Sequence, residues 1–247
     1  MTPDTLFMTG STTKAFTDAA IGLLIASGNY TVPAPPNSPS GATTLPLSWR
    51  TPISAILPSD FVLEDSWATA HVTLEDAASH RSGLSRHDKS MSRRYPDPVT
   101  GELKTATPRD VVRSLRYLPM AQEPRSTFQY CNLMYAVLSH CVETLVGDGK
   151  TLGDVLRERI WGPLGMTSTF YGVEDLSSEG GERFAKGYYW DEMQEKTQEI
   201  AIEPTPEIAG AGLVISSVRD YAKWVRSRKL PLRAVAVHVS PGGGRSC

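Results

Sequence analysis

A serine and a lysine three residues apart, Ser11-Thr-Thr-Lys14, open a stretch whose apolar residues recur at helical spacing. Positions i and i+3 are neighbours on one helix face, so the Ser11 hydroxyl and the Lys14 amine can meet. Both fall in the first turn, where the helix dipole favours an alkoxide at Ser11 and disfavours an ammonium at Lys14. A free lysine titrates near 10.4 and is a poor base at neutral pH. Burial and the dipole together would lower it toward the ~7–8 range suited to taking a proton from a nucleophile. The same residues admit a plainer reading, with Ser11 as a helix N-cap and Lys14 lying along the surface with its amine in water. In a chain this rich in serine and lysine, an S-x-x-K spacing arises by chance about once.

Tyr130-Cys-Asn132 adds the groups that such a pair would need. A phenol beside a serine–lysine pair can relay the serine proton to a leaving group. It titrates near 10, so it requires a neighbouring cation, a part that Lys14 could fill. The Asn132 amide offers a donor and an acceptor to an ester or amide substrate. Asn132 as an N-cap and Tyr130 as a packed aromatic are the alternatives, and they are compatible with catalysis. Cys131, between them, is expected to point into the core and be unreactive. Arg125 either touches an anionic substrate group or is simply solvated. His71, His80 and His87 are spaced too widely for two ligands on one helix turn and read as ordinary histidines.

These residues need elements to hold them. The spacing predicts a helix over residues 12–27 ended by Gly28. It predicts a longer apolar stripe after Asn132, from Leu133 to Val146, ended by Gly147. Thr73/Asp76, Thr107/Asp110, Thr151/Asp154 and Ser217/Asp220 have the three-residue spacing of acidic capping boxes, with Pro108 at a first helical position. The proline-rich stretch Thr31–Pro52 reads as a surface loop. Strands are expected over Arg183–Trp190, Gly212–Ser216 and Arg233–Val239.

The chain has 247 residues, 40% hydrophobic and 21% charged, with a net charge of −2. That is an ordinary globular composition, without an electrostatic case for nucleic acid or an anionic membrane. No apolar run reaches the ~18 residues of a membrane span, and residues 1–7 lack a signal peptide's basic and apolar regions. The expectation is a soluble protein, cytoplasmic by default. Three cysteines with no C-x-x-C pair suggest neither a disulfide framework nor a zinc site.

Taken in order, Phe7-x-x-Gly10-Ser11-x-x-Lys14 and Tyr130-x-Asn132 resemble the serine β-lactamase and penicillin-binding-protein group, in which the serine–lysine motif is a signature. The likeness is strongest to class C β-lactamases, D-alanyl-D-alanine carboxypeptidases and esterases of that fold. Ser79-His-Arg-Ser-Gly-Leu84 is similar to the group's H-x-S-G-L segment, and Trp161-Gly-Pro-Leu-Gly-Met166 to its P-L-G-M turn. Ala209-Gly-Ala-Gly-Leu213 is similar to its glycine-rich turn. The resemblance implies an α+β, β-lactamase/transpeptidase-like fold with the helical lobe largely kept and the antiparallel sheet incomplete. It implies Ser11 as nucleophile, Lys14 and Tyr130 sharing acid–base work, Asn132 orienting a small-molecule acyl substrate, and no cofactor or metal. The backbone N–H of Ser11 would be one oxyanion donor. His80 is expected to brace the turn at Gly83.

The third motif of the group, K-T-G or H-x-G on a core strand, has no convincing copy; His238-Val-Ser-Pro-Gly is the nearest. The sequence therefore reads as one partial domain over 1–229, truncated at both ends, with a divergent and poorly ordered tail at 230–247. Two functions stay open: an acyl-enzyme serine hydrolase, or an inactive remnant lacking the third-motif strand and the second oxyanion donor. The oligomeric state is not legible.

Overall fold

The computed structural model describes residues 1–35, 41–90, 94–97, 99–200, 202 and 205–228. In chain order these form β1 (Leu6–Met8), α1 (Thr13–Ser27), β2 (Thr31–Pro33), β3 (Thr44–Pro46), α2 (Ile53–Ile56), α3 (Ser66–His71) and α4 (Leu74–Ala78). Then come β4 (Arg94–Pro96), β5 (Leu103–Thr105), α5 (Pro108–Ser114), α6 (Asn132–Val146), α7 (Leu152–Leu156) and β6 (Thr169–Tyr171). The last elements are α8 (Ser178–Arg183), β7 (Gly187–Asp191), β8 (Lys196–Ile200), α9 (Ala209–Gly212), β9 (Val214–Ser217) and α10 (Val218–Ser227). The architecture is mixed α and β, with helices outweighing short antiparallel sheets.

The fold is centred on α1 and α6, which pack on each other and on α9. Phe16, Ala20, Ile21 and Leu24 of α1 are fully buried, as are Leu133 to Val142 of α6 except Tyr135, which is nearly so, and His140. A helix apolar on most sides belongs in a core, which is where these two lie. Phe16 stacks on Trp224 of α10 with ring centres 4.4 Å apart and meets Trp161 edge-on at 6.0 Å. Such contacts tie the first helix to the last one described.

Helix α1 also has a polar buried face, and each of its groups finds a partner in the segment 210–214. Thr17 Oγ1 donates to the Gly210 carbonyl at 2.9 Å, Lys14 Nζ to the Ala211 carbonyl at 2.8 Å, and Val214 N–H to Thr13 Oγ1 at 3.1 Å. Burying these groups unpaired would be costly, so they fix how α9 lies across α1. Close approach explains the glycine: a Cβ on Gly210 would sit 2.1 Å from Ser139 Oγ and 2.7 Å from the Tyr135 carbonyl oxygen.

Strand β9 is the middle of a three-stranded antiparallel sheet, with β1 on one side (Leu6 opposite Ser217) and β6 on the other (Thr169 opposite Ser216). The strand expected over Gly212–Ser216 begins two residues later, because Gly212 completes α9. The one expected from Arg183 begins at Gly187, since Arg183 ends α8, and it pairs with β8 in a hairpin that the sequence reading did not contain. The loop expected over Thr31–Pro52 holds a small ribbon in which Thr31 pairs with Pro46 and Pro33 with Thr44. Both prolines stand at strand ends, where a missing N–H is tolerated. The expected strand at Arg233–Val239 and the tail at 230–247 lie outside the described residues.

Reciprocal capping boxes form at Thr73/Asp76, Thr107/Asp110 and Thr151/Asp154. The fourth expected box does not close. Ser217 accepts the Asp220 N–H, but the Asp220 carboxylate turns to the Ser168 N–H and the Thr169 hydroxyl beside β6 and to Lys223. Among the described residues no helix is long and apolar enough to cross a membrane.

Candidate active site

The chain leaves β1 through Thr9 and Gly10 and makes one 3₁₀ turn, Gly10–Thr12, before α1 begins. Gly10 has φ +54°, a left-handed conformation that glycine adopts without strain. This turn leaves Ser11 exposed at the helix entrance. The N-cap position is held by Thr12, and the Ser11 side chain points elsewhere: its Oγ shares a 2.6 Å hydrogen bond with Tyr130 Oη and accepts one of 3.1 Å from Lys14 Nζ.

Lys14 is not a surface lysine. It is 6% exposed, and its Nζ donates to Ser11 Oγ, to Asn132 Oδ1 at 2.8 Å and to the Ala211 carbonyl at 2.8 Å. Three acceptors match the three protons of an ammonium. The ring centres of Tyr130 and Tyr135 lie 4.8 and 5.2 Å from the nitrogen, close enough for cation–π attraction. Burial lowers the Lys14 pKa below its ordinary value, with Arg86 adding to the effect, while Tyr130 and Asp88 hold back part of the drop. Burial also pushes the Tyr130 phenol up, but the hydrogen bonds with Lys14 and Ser11 and the charges of Lys14 and Arg86 outweigh it, and the phenol is more acidic than usual. Both shifts favour moving a proton off Ser11.

Asn132 is the first residue of α6, and Cys131 holds the N-cap position without a side-chain cap. The Asn132 amide instead lies between Lys14 and Asp88: its Oδ1 accepts from Lys14, and its Nδ2 donates to Asp88 Oδ1 at 3.0 Å. Cys131 is fully buried, and burial raises its thiol to about 11, consistent with an inert side chain.

His80 fixes the Tyr130–Asn132 segment. Its Nδ1 accepts the Cys131 N–H at 3.1 Å, its carbonyl accepts the Gln129 N–H at 2.7 Å, and its ring lies 4.3 Å from that of Tyr130. Burial, reinforced by the Lys14 charge, lowers His80 to about 4, so at neutral pH the imidazole is uncharged and can accept through Nδ1. The bracing role expected at Gly83 is thus exerted on Tyr130. The Gly83 turn is held by the opposite loop, whose Ala121 and Gln122 N–H groups donate to the Gly83 carbonyl. Arg125 is half-exposed but neither solvated alone nor aimed at a substrate: it forks onto Asp76 and donates to the His71 carbonyl. The three histidines do not converge. His71 stacks on Trp67, His80 packs at a tilt against Tyr130, and His87 bonds the Pro119 carbonyl. Among the described residues no group of three His, Cys, Asp or Glu side chains is arranged to hold a metal.

The structure therefore brings Ser11, Lys14, Tyr130 and Asn132 together. Sequence reasoning missed Asp88, Arg86 and the Ala211 carbonyl, and it gave His80 a different task. Nothing in Ser85-Arg-His-Asp88 marks it locally, because its importance comes from a contact 44 residues away in the chain. The nearest missed signal was its place directly after the H-x-S-G-L-like segment.

The family model described as Beta-lactamase matches residues 1–243. The chain is 42% identical to an unguisins hydrolase of Aspergillus campestris over 243 residues, covering 98% of this chain and 41% of that protein. It is 40% identical to an unguisins hydrolase of Aspergillus violaceofuscus, covering 92% and 37%. The chain thus spans about two-fifths of these relatives. Among solved structures, the D-amino acid amidase of Ochrobactrum anthropi SV3 complexed with L-phenylalanine amide superposes with a TM-score of 0.68 at 25% identity, covering 95% of this chain and 59% of that one. A class C β-lactamase of Rhodobacter sphaeroides does so with 0.61 at 25% identity, covering 91% and 52%. The architecture is the β-lactamase/transpeptidase-like fold, and the chain belongs to the β-lactamase family.

Proposed function

We propose that this chain is a serine hydrolase that opens a small ester or amide through an acyl-enzyme on Ser11. The observation that carries the reading is the Ser11 oxygen held 2.6 Å from the Tyr130 phenol and 3.1 Å from the Lys14 amine. In the forward step the Ser11 Oγ–H proton passes to the Lys14–Tyr130 pair as Oγ bonds to the acyl carbon. The Ser11 backbone N–H, in the first turn of a helix, is one donor for the oxyanion that forms. Collapse breaks the bond to the leaving group, which takes its proton from Tyr130. Water then attacks the ester on Ser11 by the reverse sequence, releasing the acid and restoring the serine. Asn132 orients the acyl portion. The likeness to a D-amino acid amidase favours an amide as the natural substrate over a β-lactam.

A second reading is a relative of such hydrolases that keeps the Ser11, Lys14 and Tyr130 contacts but turns over slowly, as loss of one oxyanion donor typically lowers the rate by about 10²–10³. Hydrolysis of p-nitrophenyl acetate separates the two. The proposal expects turnover above background that disappears in Ser11→Ala; a rate unchanged by that substitution, or none in folded protein, overturns it.

A further inference from the structure

The four site residues belong to a closed ring of six. Ser11 bonds Tyr130 and Lys14, Lys14 bonds Asn132, and Asn132 bonds Asp88. Arg86 then pairs with the same carboxylate through Nε at 2.8 Å, and its guanidinium carbon lies 4.9 Å from the centre of the Tyr130 ring. The ring closes through a loop, Ser85–Asp88, that contributes no other side chain to the Ser–Lys–Tyr set.

The chemistry of the two neighbours of Asn132 decides its orientation. A carboxylate only accepts and an ammonium only donates. Asp88 on one side and Lys14 on the other therefore permit a single arrangement of the amide, with Oδ1 toward Lys14 and Nδ2 toward Asp88. Replace Asp88 by a neutral or apolar group and one of the two constraints is lost. With Nδ2 anchored by one proton, the other is free to donate. Lys14 occupies one of the two Oδ1 lone pairs, so Asn132 keeps one acceptor site as well as this N–H.

We infer that Asp88 is a positioning residue for acyl transfer: it fixes the orientation of the Asn132 amide beside the Ser11, Lys14 and Tyr130 side chains. The inference rests on the serine-hydrolase reading for its kinetic consequence and on geometry alone for the amide orientation.

Two measurements test it separately. The chain contains three asparagines, Asn29, Asn37 and Asn132, so protein labelled with ¹⁵N-asparagine gives a side-chain spectrum in which Asn132→Ala identifies the Asn132 pair. Asp88→Ala, which removes the acceptor and adds no fourth asparagine, should move that pair and speed its exchange with water; Asp88→Glu should keep it near its original position. An Asn132 pair unmoved by Asp88→Ala overturns the inference, whatever the activity. The second measurement is kcat/KM for an N-acetylamino-acid p-nitrophenyl ester. Asp88→Ala and Asn132→Ala should each lower it about tenfold, as expected when a hydrogen bond to a charged group is lost. The double variant should fall no further than Asn132→Ala, because Asp88 acts through Asn132. Independent, multiplying losses would refute the positioning role. If wild-type protein shows no turnover and Ser11 takes no acyl label, the hydrolase reading has failed, and the amide resonance alone decides whether Asp88 fixes Asn132.

Discussion

Gly210→Ala should damage the site without touching a residue that does chemistry. The added methyl would meet Ser139 Oγ at 2.1 Å, the Tyr135 carbonyl oxygen at 2.7 Å and Thr17 Oγ1 at 3.1 Å, where ordinary contact begins near 3.4 Å. The serine hydroxyl can rotate away, giving up its bond to the Tyr135 carbonyl. The backbone carbonyl belongs to α6 and cannot. The glycine-rich segment must therefore retreat by roughly 0.7 Å, the shortfall against that carbonyl, a kind of overpacking that typically costs about 1–3 kcal/mol. The retreat also carries the Ala211 carbonyl away from Lys14 Nζ, now 2.8 Å distant, to roughly the limit of a hydrogen bond. Lys14 would then hold two acceptors in place of three, and a displacement near 1 Å in a reacting site can slow chemistry by up to about 10²-fold. Thermal unfolding should fall by about 2–10 °C for a domain of this size, and Ser11 acylation by a fluorophosphonate should slow at least about tenfold. Adding Ser139→Ala should return part of the stability and little of the rate, since the carbonyl contact persists. A Gly210→Ala protein that melts and acylates like wild type would refute the claim that this segment seats the lysine.

Tyr130→Phe keeps the ring against His80 and over Lys14 and removes only the hydroxyl at 2.6 Å from Ser11. Ester turnover should drop by about 10²–10⁴ with an unchanged melting temperature, and a rate within about tenfold of wild type would take the phenol out of the proton path. Asp18, one turn beyond Lys14 on α1, is raised by burial to about 6 although Tyr135 donates to it. Because the folded state holds this proton more tightly than the unfolded one, stability falls as pH rises from about 4 through 6, by about 2–3 kcal/mol in all. Asp18→Asn should match wild type near pH 4 and exceed it by about that amount at pH 8 in urea unfolding; parallel stability–pH curves would show that Asp18 does not carry this titration.

The Ser11–Lys14 pair was legible because it is local. Ser11 and Lys14 lie one turn apart, and a helix makes them neighbours whatever else the chain does. Tyr130 and Asn132 were legible through motif likeness, though no local rule says that residue 130 returns to residue 11. What the sequence concealed depends on tertiary neighbours. Asp220 has the spacing of a capping box, but β6 offers its carboxylate other donors. Asp88 lies in a polar loop with nothing to distinguish it from Asp148, which is also a polar loop residue. His80 reads as a turn residue until its Nδ1 is found under the Cys131 N–H. The ribbon at Thr31–Pro46 was hidden because proline argues against strands in general and permits them at their ends.

Ser11 is the proposed nucleophile, activated by Lys14 and Tyr130. Treating the folded chain with a fluorophosphonate at neutral pH and mapping its peptides by mass spectrometry tests that role. The expected result is a single covalent adduct on Ser11, with labelling that slows sharply in Lys14→Met. An unmodified Ser11, or an adduct on another serine formed at the same rate in both proteins, would contradict it.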